Sequence, residues 1–171
     1  LLIIPSCNFK GDDGKYYIDQ IISVFPGLKE KIDPFLAQGG NIYAEGNAVY
    51  MLEKLGYLPS GTVNFTNVLN SGTEGLINIT VVSSSHPAGF NAADAGNKIY
   101  TGAVPLVNAS GITIIANAEA DGRPVLFEKK TGTGGKIICN LGLPTAGGMA
   151  GTGQNRRQLQ WTLNSLLYTL S

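Results

Sequence analysis

The sequence predicts an α/β domain with a mostly parallel central sheet flanked by helices, an antiparallel β-rich section and a C-terminal helix. Three observations carry this reading. The apolar runs Leu1-Leu2-Ile3-Ile4 and Ile42-Tyr43-Ala44 have the composition of strands covered on both faces. Helical stripes lie on either side of the second run, and Gly39-Gly40 stops the earlier stripe with a left-handed turn. The last stretch, Gln154 to Leu170, places Leu159, Leu163, Leu166, Leu167 and Leu170 at i, i+4, i+7, i+8 and i+11, which predicts a helix with a core-facing leucine stripe.

Along the chain, Leu1 to Pro5 reads as the first strand and Ser6 to Lys15 as a polar loop. Within that loop, Gly11-Asp12-Asp13-Gly14 lacks the regular ligand spacing of a calcium loop and reads as a solvated turn. Tyr17, Ile18, Ile21, Ile22 and Phe25 form a helical stripe that Pro26-Gly27 interrupts. Leu28, Ile32, Phe35 and Leu36 form a second one, in which Pro34 is expected to introduce a kink. Beyond the Ile42 run, Ala48, Met51, Leu52 and Leu55 share one helical face that ends at Gly56.

From Thr62 to Val82 apolar and polar residues alternate, as in half-buried strands, and Ser83 to Pro87 ends that region. Ala88 to Asn97 reads as a loop. Lys98–Val107, Ile112–Ala118, Pro124–Lys129 and Lys136–Leu141 read as four further strands. Thr131-Gly132-Thr133-Gly134-Gly135 joins the last two as a hairpin whose glycines take positive φ. A phosphate cradle requires a helix after the glycines, and here a strand follows. Arg156 and Arg157, at the start of the last helix, read as a solvated pair, with pairing to a carboxylate or a contact to a partner as the alternatives.

At 171 residues the chain is one domain, with no linker or repeat to divide it. Twelve basic residues balance twelve acidic ones, so charge marks no nucleic-acid or anionic-membrane surface. No apolar run approaches the ~20 residues that span a bilayer. Because a buried parallel strand needs neighbours, the opening run is read as the continuation of a longer polypeptide. Abundant Gly, Asn, Ser and Thr with sparse Lys and Glu suggest a secreted or cell-surface protein, and Asn64, Asn78 and Asn108 head N-glycosylation triplets. Cys7 and Cys139 read as two core thiols, with a single bridge as the alternative. With one histidine and no cysteine cluster, no metal site or cofactor is expected.

Glu45-Gly46-Asn47 is the chain's strand–elbow–helix turn, the place where an α/β hydrolase-type fold presents a nucleophile. Its apex is a glycine. Three stretches together resemble the class I glutamine amidotransferase-like superfamily, a flavodoxin-like α/β fold. Leu1 to Pro5 is similar to the strand before that family's oxyanion loop, and Ile32 to Ala48 to its helix–Gly-Gly–strand–elbow unit. Lys136 to Thr145 with the final helix resembles its last strand and His-Pro-Glu segment. The resemblance implies a Cys-His-Glu triad, and these roles fall on Gly46, Leu143 and Thr145, none of which can perform them. Ser6-Cys7-Asn8 also departs from the Gly-Gly pair common in the oxyanion region.

The resulting expectation is a non-catalytic module, acting as a structural or protein-interaction domain of a larger protein. Its partners are neighbouring domains or copies of itself. The alternative is a small-ligand or carbohydrate-binding module whose crevice is lined by Asn8, Glu45, Asn47 and His86, with Tyr43 or Tyr100 for stacking. A third reading is a hydrolase with relocated groups, either Cys7 with His86 or Glu45 with Asp94 at a separation of ~5–10 Å.

Overall fold

A computed structural model describes residues 1–6, 17–69, 75–89, 98–101, 104–142 and 155–170. Strand β1 (Leu2–Ile4) is followed by helices α1 (Tyr17–Val24) and α2 (Leu28–Ala37), strand β2 (Ile42–Glu45) and helix α3 (Ala48–Lys54). Strands β3 (Val63–Leu69), β4 (Gly75–Val81), β5 (Lys98–Thr101), β6 (Val104–Val107), β7 (Thr113–Ala118), β8 (Pro124–Lys130) and β9 (Lys136–Asn140) come next, with a 3₁₀ turn at Pro87–Gly89, and helix α4 (Asn155–Leu170) is last. The run from Lys98 to Val107 is thus two strands, β5 and β6, which join different sheets.

The main sheet has the order β1-β2-β9-β8-β7-β4-β5, and β3 and β6 form a separate antiparallel ribbon. The expectation of a mostly parallel sheet is overturned. Among the described strands of this sheet, only β1–β2 and β2–β9 run parallel, while β9–β8, β8–β7, β7–β4 and β4–β5 are all antiparallel. The sheet is mixed and mostly antiparallel because short turns join β7 to β8 and β8 to β9, and strands joined that closely can only pair antiparallel. The unbroken burial of Pro124 to Glu128 mimics a parallel strand because both faces of the sheet are covered here.

Where the sequence predicted the local stops, the backbone supplies them. Gly39 has φ +80°, and the N–H groups of Gly39 and Gly40 donate to the carbonyls of Leu36 and Phe35, the paired bonds of a Schellman stop. In the β8–β9 hairpin, the positive φ is confined to Gly134 among its glycines. Pro34 sits inside α2 with its own carbonyl still accepting from Gln38 N–H.

Register separates the two faces of the sheet. Ile42, Ala44, Ile137, Cys139 and Phe127 emerge on one side, all at most 1% exposed, where α2 and α3 cover them. Tyr43, Glu45, Ile138, Asn140, Leu126 and Glu128 emerge on the other, beneath α4. That second face is rich in polar groups, and it turns α4 over. The expected inward stripe at Leu163, Leu167 and Leu170 is exposed instead, while Thr162, Ser165 and Thr169 are buried. Leu166 is half-buried, and the side chain of Leu159 lies outside the described residues. Thr162 meets the Tyr43 hydroxyl, the Thr169 hydroxyl turns back to the Ser165 carbonyl of its own helix, and Ser165 Oγ is buried without a partner, so it is small side chains that this helix packs against the polar face.

Polar anchors tie the periphery down. Glu53 of α3 accepts from the N–H groups of Gly61 and Val63 at 2.9 and 2.6 Å, fixing the entry to β3. Arg123 is 4% exposed. It donates to the Val104 carbonyl at 2.6 Å and to both carboxylate oxygens of Asp121, so one guanidinium joins β6 to the β7–β8 turn.

Candidate functional site

The elbow stands at the carboxyl ends of the parallel strands. All four residues of β2 are buried, Gly46 takes φ +50°, and α3 begins two residues later. Gly46 N–H donates to the Asn140 carbonyl at 2.7 Å, locking the apex to the end of β9. Ser6, beyond β1, donates its hydroxyl to Asn47 Oδ1 at 3.1 Å. Three strand ends are thereby held together at this turn.

Beneath the elbow lies a closed polar cluster. Tyr43 is fully buried, and its hydroxyl meets Asn140 Nδ2 at 3.2 Å as well as the side chains of Thr162 and Glu45. Burial first, and then the neighbouring Glu45 charge, push its phenol well above the ordinary tyrosine range. Asn140 Oδ1 accepts from Gly142 N–H at 2.9 Å. Glu45 is 2% exposed. Tyr43 therefore has no face to offer a ligand for stacking, contrary to the expectation from sequence. The side chain of Tyr100, the other stacking candidate, lies outside the described residues.

His86 belongs to a different part of the sheet. Its Nε2 lies 2.7 Å from Glu128 Oε2, and its Nδ1 accepts from Ala88 N–H at 3.2 Å, so Nε2 carries the proton and donates to the carboxyl group. Tyr168 donates to the same Glu128 oxygen at 3.2 Å and packs edge-on against the imidazole at 4.6 Å. In register, Glu45 and Leu126 both face Asn140, whereas Glu128 faces Ile138. The His86 cluster thus sits two strands across from Glu45 and two residues down the sheet. Of the sequence candidates, Glu45 and Asn47 share the elbow and His86 does not join them.

Asn8, Cys7, Asp94, Leu143 and Thr145 lie outside the described residues. Cys139 is a free thiol, fully buried, and burial pushes it far above the ordinary cysteine range. Sequence reasoning missed Glu128 and Tyr168. Glu128 precedes Lys129-Lys130, so it reads as the frayed polar end of a strand. The only signal was its alternation with Pro124 and Leu126, which places it on a covered face. Among the described residues, His, Cys, Asp and Glu nowhere gather in a group of three or more, and no helix is long and apolar enough to cross a membrane.

A cleft of about 430 Å³ opens at the other end of the strands, lined by Asp33, Leu36, Tyr57, Lys129, Thr131 and Thr133. Asp33 accepts from Lys29 and from Tyr57 there, and these bonds, the Lys29 one foremost, hold its carboxyl below the usual range.

Among solved structures the chain is similar to PurLQS from Thermotoga maritima, at 16% identity and a TM-score of 0.55, covering 96% of this chain and 78% of that one. No family model and no curated protein matches it. At that identity the likeness shows the fold alone. The chain shares the overall fold of the matched part of that structure, and shares it loosely. Its mostly antiparallel sheet is the main departure from the expectation raised by the sequence.

Proposed function

We propose that this chain is a non-catalytic domain of the class I glutamine amidotransferase-like fold, working as a structural or protein-interaction module of a larger protein. The observation that carries this reading is Gly46 at the apex of the elbow, where acyl-transfer chemistry requires a nucleophilic side chain. Two further features support it. Cys139 is sealed in the core with its thiolate disfavoured, and both ring nitrogens of His86 are engaged, away from the elbow. A general base has to reach a nucleophile within hydrogen-bonding distance, and His86 is held to a carboxyl group instead.

Glutaminase and amidase assays on the full chain test the reading, with an expected turnover no greater than that of buffer. Hydrolysis that disappears on Glu45→Ala or Asn47→Ala would overturn it. The same reading places the module in a secreted or cell-surface protein. Asn64, Asn78 and Asn108, which head the glycosylation triplets, are all exposed, and Asn108 sits in a turn where its Oδ1 accepts from Ser110 N–H. When the chain is passed through a eukaryotic secretory pathway, peptide N-glycosidase is expected to increase its gel mobility. Asn108→Gln is expected to remove one step of that shift. No shift at all counts against this placement.

A further inference from the structure

A helix on a sheet is held mainly by the apolar area it removes from water. By that measure α4 is held weakly. Leu163, Leu167 and Leu170 are 43%, 64% and 64% exposed, and the buried positions are Thr162, Ser165 and Thr169, whose small side chains remove little apolar surface. Leu166 and Tyr168 are only partly buried against the core. On the opposite face of the sheet, α3 buries Ala48, Val49, Met51 and Leu52.

The buried hydroxyls do not make up the difference. Thr162 reaches Tyr43, but the Thr169 hydroxyl turns back into its own helix and Ser165 Oγ has no partner. Across the interface, Glu128 Oε1 has none either. Water would satisfy both oxygens if the helix lifted. The last turn is latched instead. Asn41 Nδ2 donates to the Thr169 carbonyl at 2.6 Å, and Lys136 Nζ donates to the Tyr168 carbonyl at 2.9 Å while lying 4.0 Å from the centre of the Tyr168 ring. The Tyr168 hydroxyl donates to Glu128 at 3.2 Å. Asn41 precedes β2 and Lys136 opens β9, so the latch stands at the start of the parallel strands, with Thr162 about two turns nearer the elbow.

We propose that α4 is a strap that lifts from the sheet as a unit while the rest of the domain stays folded, uncovering the face that carries Tyr43, Glu45, Asn140 and Glu128. Water can hydrate all four polar groups, and the outward leucines are as exposed before the opening as after it. Ile138 and Leu126, buried on the same face, set the cost that keeps the strap closed. The core residues Ile42, Ala44, Ile137, Cys139 and Phe127 lie on the other side of the sheet, beneath α2 and α3, and lose no cover. Elements with few buried apolar contacts open ahead of the whole fold, and lids are drawn from them. Because α4 covers the polar cluster beneath the elbow, the strap governs access to that cluster. The inference does not depend on whether the elbow is catalytic, and its test involves no hydrolysis.

Hydrogen–deuterium exchange on the full chain, without urea and at urea concentrations below the unfolding transition, reads the opening directly. Amides of residues 162 to 168, short of the helix end, are expected to exchange at least about 100-fold faster than those of β2, β8 and β9, with a rate that rises little with urea because the opening exposes little surface. Ser165→Ala, which removes the unpartnered hydroxyl, is expected to slow exchange in α4 about tenfold, and Lys136→Met, which loosens the latch, to speed it by a similar factor. Thiol labelling gives an independent readout. In a Cys7→Ser chain, the thiol introduced by Ser165→Cys is expected to react in the folded protein while Cys139, buried on the other side of the sheet, stays unmodified. If α4 is protected as strongly as β9, or if the two thiols react at one rate, the helix leaves only when the whole domain unfolds and the proposal is overturned. Exchange at the rate of a free chain overturns it too, since α4 would then not be docked.

Discussion

Replacing Gly40 with alanine is expected to destabilise the domain by about 3 kcal/mol, near the upper end for overpacking a closed site. A Cβ at Gly40 would lie 2.4 Å from the Phe35 carbonyl oxygen and 2.6 Å from two carbons of the Phe35 ring. The carbonyl cannot withdraw, because it is the acceptor for Gly40 N–H at 2.9 Å in the bond that closes α2. The same crossing is tight from the other side. A Cβ at Gly135 would lie 2.5 Å from the Gly40 carbonyl oxygen, so the α2–β2 turn and the β8–β9 hairpin touch backbone to backbone. Thr133 reinforces the clasp by donating to the Leu36 carbonyl at 2.7 Å.

Gly39→Ala is the control. Gly39 has φ +80° with no atom within 4 Å of the place a Cβ would occupy, so alanine there meets only the left-handed backbone penalty of about 1 kcal/mol. Urea unfolding of both variants makes the comparison. If Gly40→Ala costs no more than Gly39→Ala, close packing is not what fixes this turn.

The same pair of glycines marks which parts of the fold were legible in the sequence. Gly39-Gly40 announced a helix stop because a left-handed residue is a local requirement, set by two residues and visible in them. The elbow at Gly46 and the glycine-rich hairpin before Lys136 were legible for the same reason. Strand direction was not. The hairpin set β8 against β9, but that β7, β4 and β5 extend the same sheet antiparallel beyond it depends on which edges meet, and the fully buried run Pro124 to Glu128 resembles a parallel strand by itself. The reversal of α4 is the sharper lesson. Its leucine periodicity correctly gave a helix but not its orientation, because orientation was decided by what the opposing sheet face displays. Tyr43 and Glu45 come from a strand about 80 residues before the β8–β9 hairpin that carries Glu128 and Asn140, and only register gathers them under Thr162, Ser165 and Thr169.

The site was legible in a similarly partial way. Glu45, Gly46 and Asn47 are neighbours in sequence and meet at one turn in space. His86 was noticed as the sole histidine, but its partner Glu128 stands 42 residues away, on a strand that contributes nothing to the elbow.

Removing that histidine is expected to lower stability by about 3 kcal/mol, combining a lost buried hydrogen bond with the cavity left by the ring. Glu128 is 2% exposed and its Oε1 already has no partner, so His86 and Tyr168 between them satisfy the only bonded oxygen. His86→Ala leaves a buried carboxyl group with one long hydrogen bond from Tyr168. It also takes away the ring on which Tyr168 packs, loosening the end of α4 that Lys136 ties down through the Tyr168 carbonyl at 2.9 Å. The double variant His86→Ala/Glu128→Leu is expected to be more stable than His86→Ala alone, since replacing both members removes the unpaired group rather than exposing it. Denaturant unfolding of the single and double variants reads both effects. A His86→Ala cost below about 1 kcal/mol, or a double variant weaker than the two single changes added together, would mean that α4 is held by other ties, such as Asn41 Nδ2 to the Thr169 carbonyl, and not by this pair.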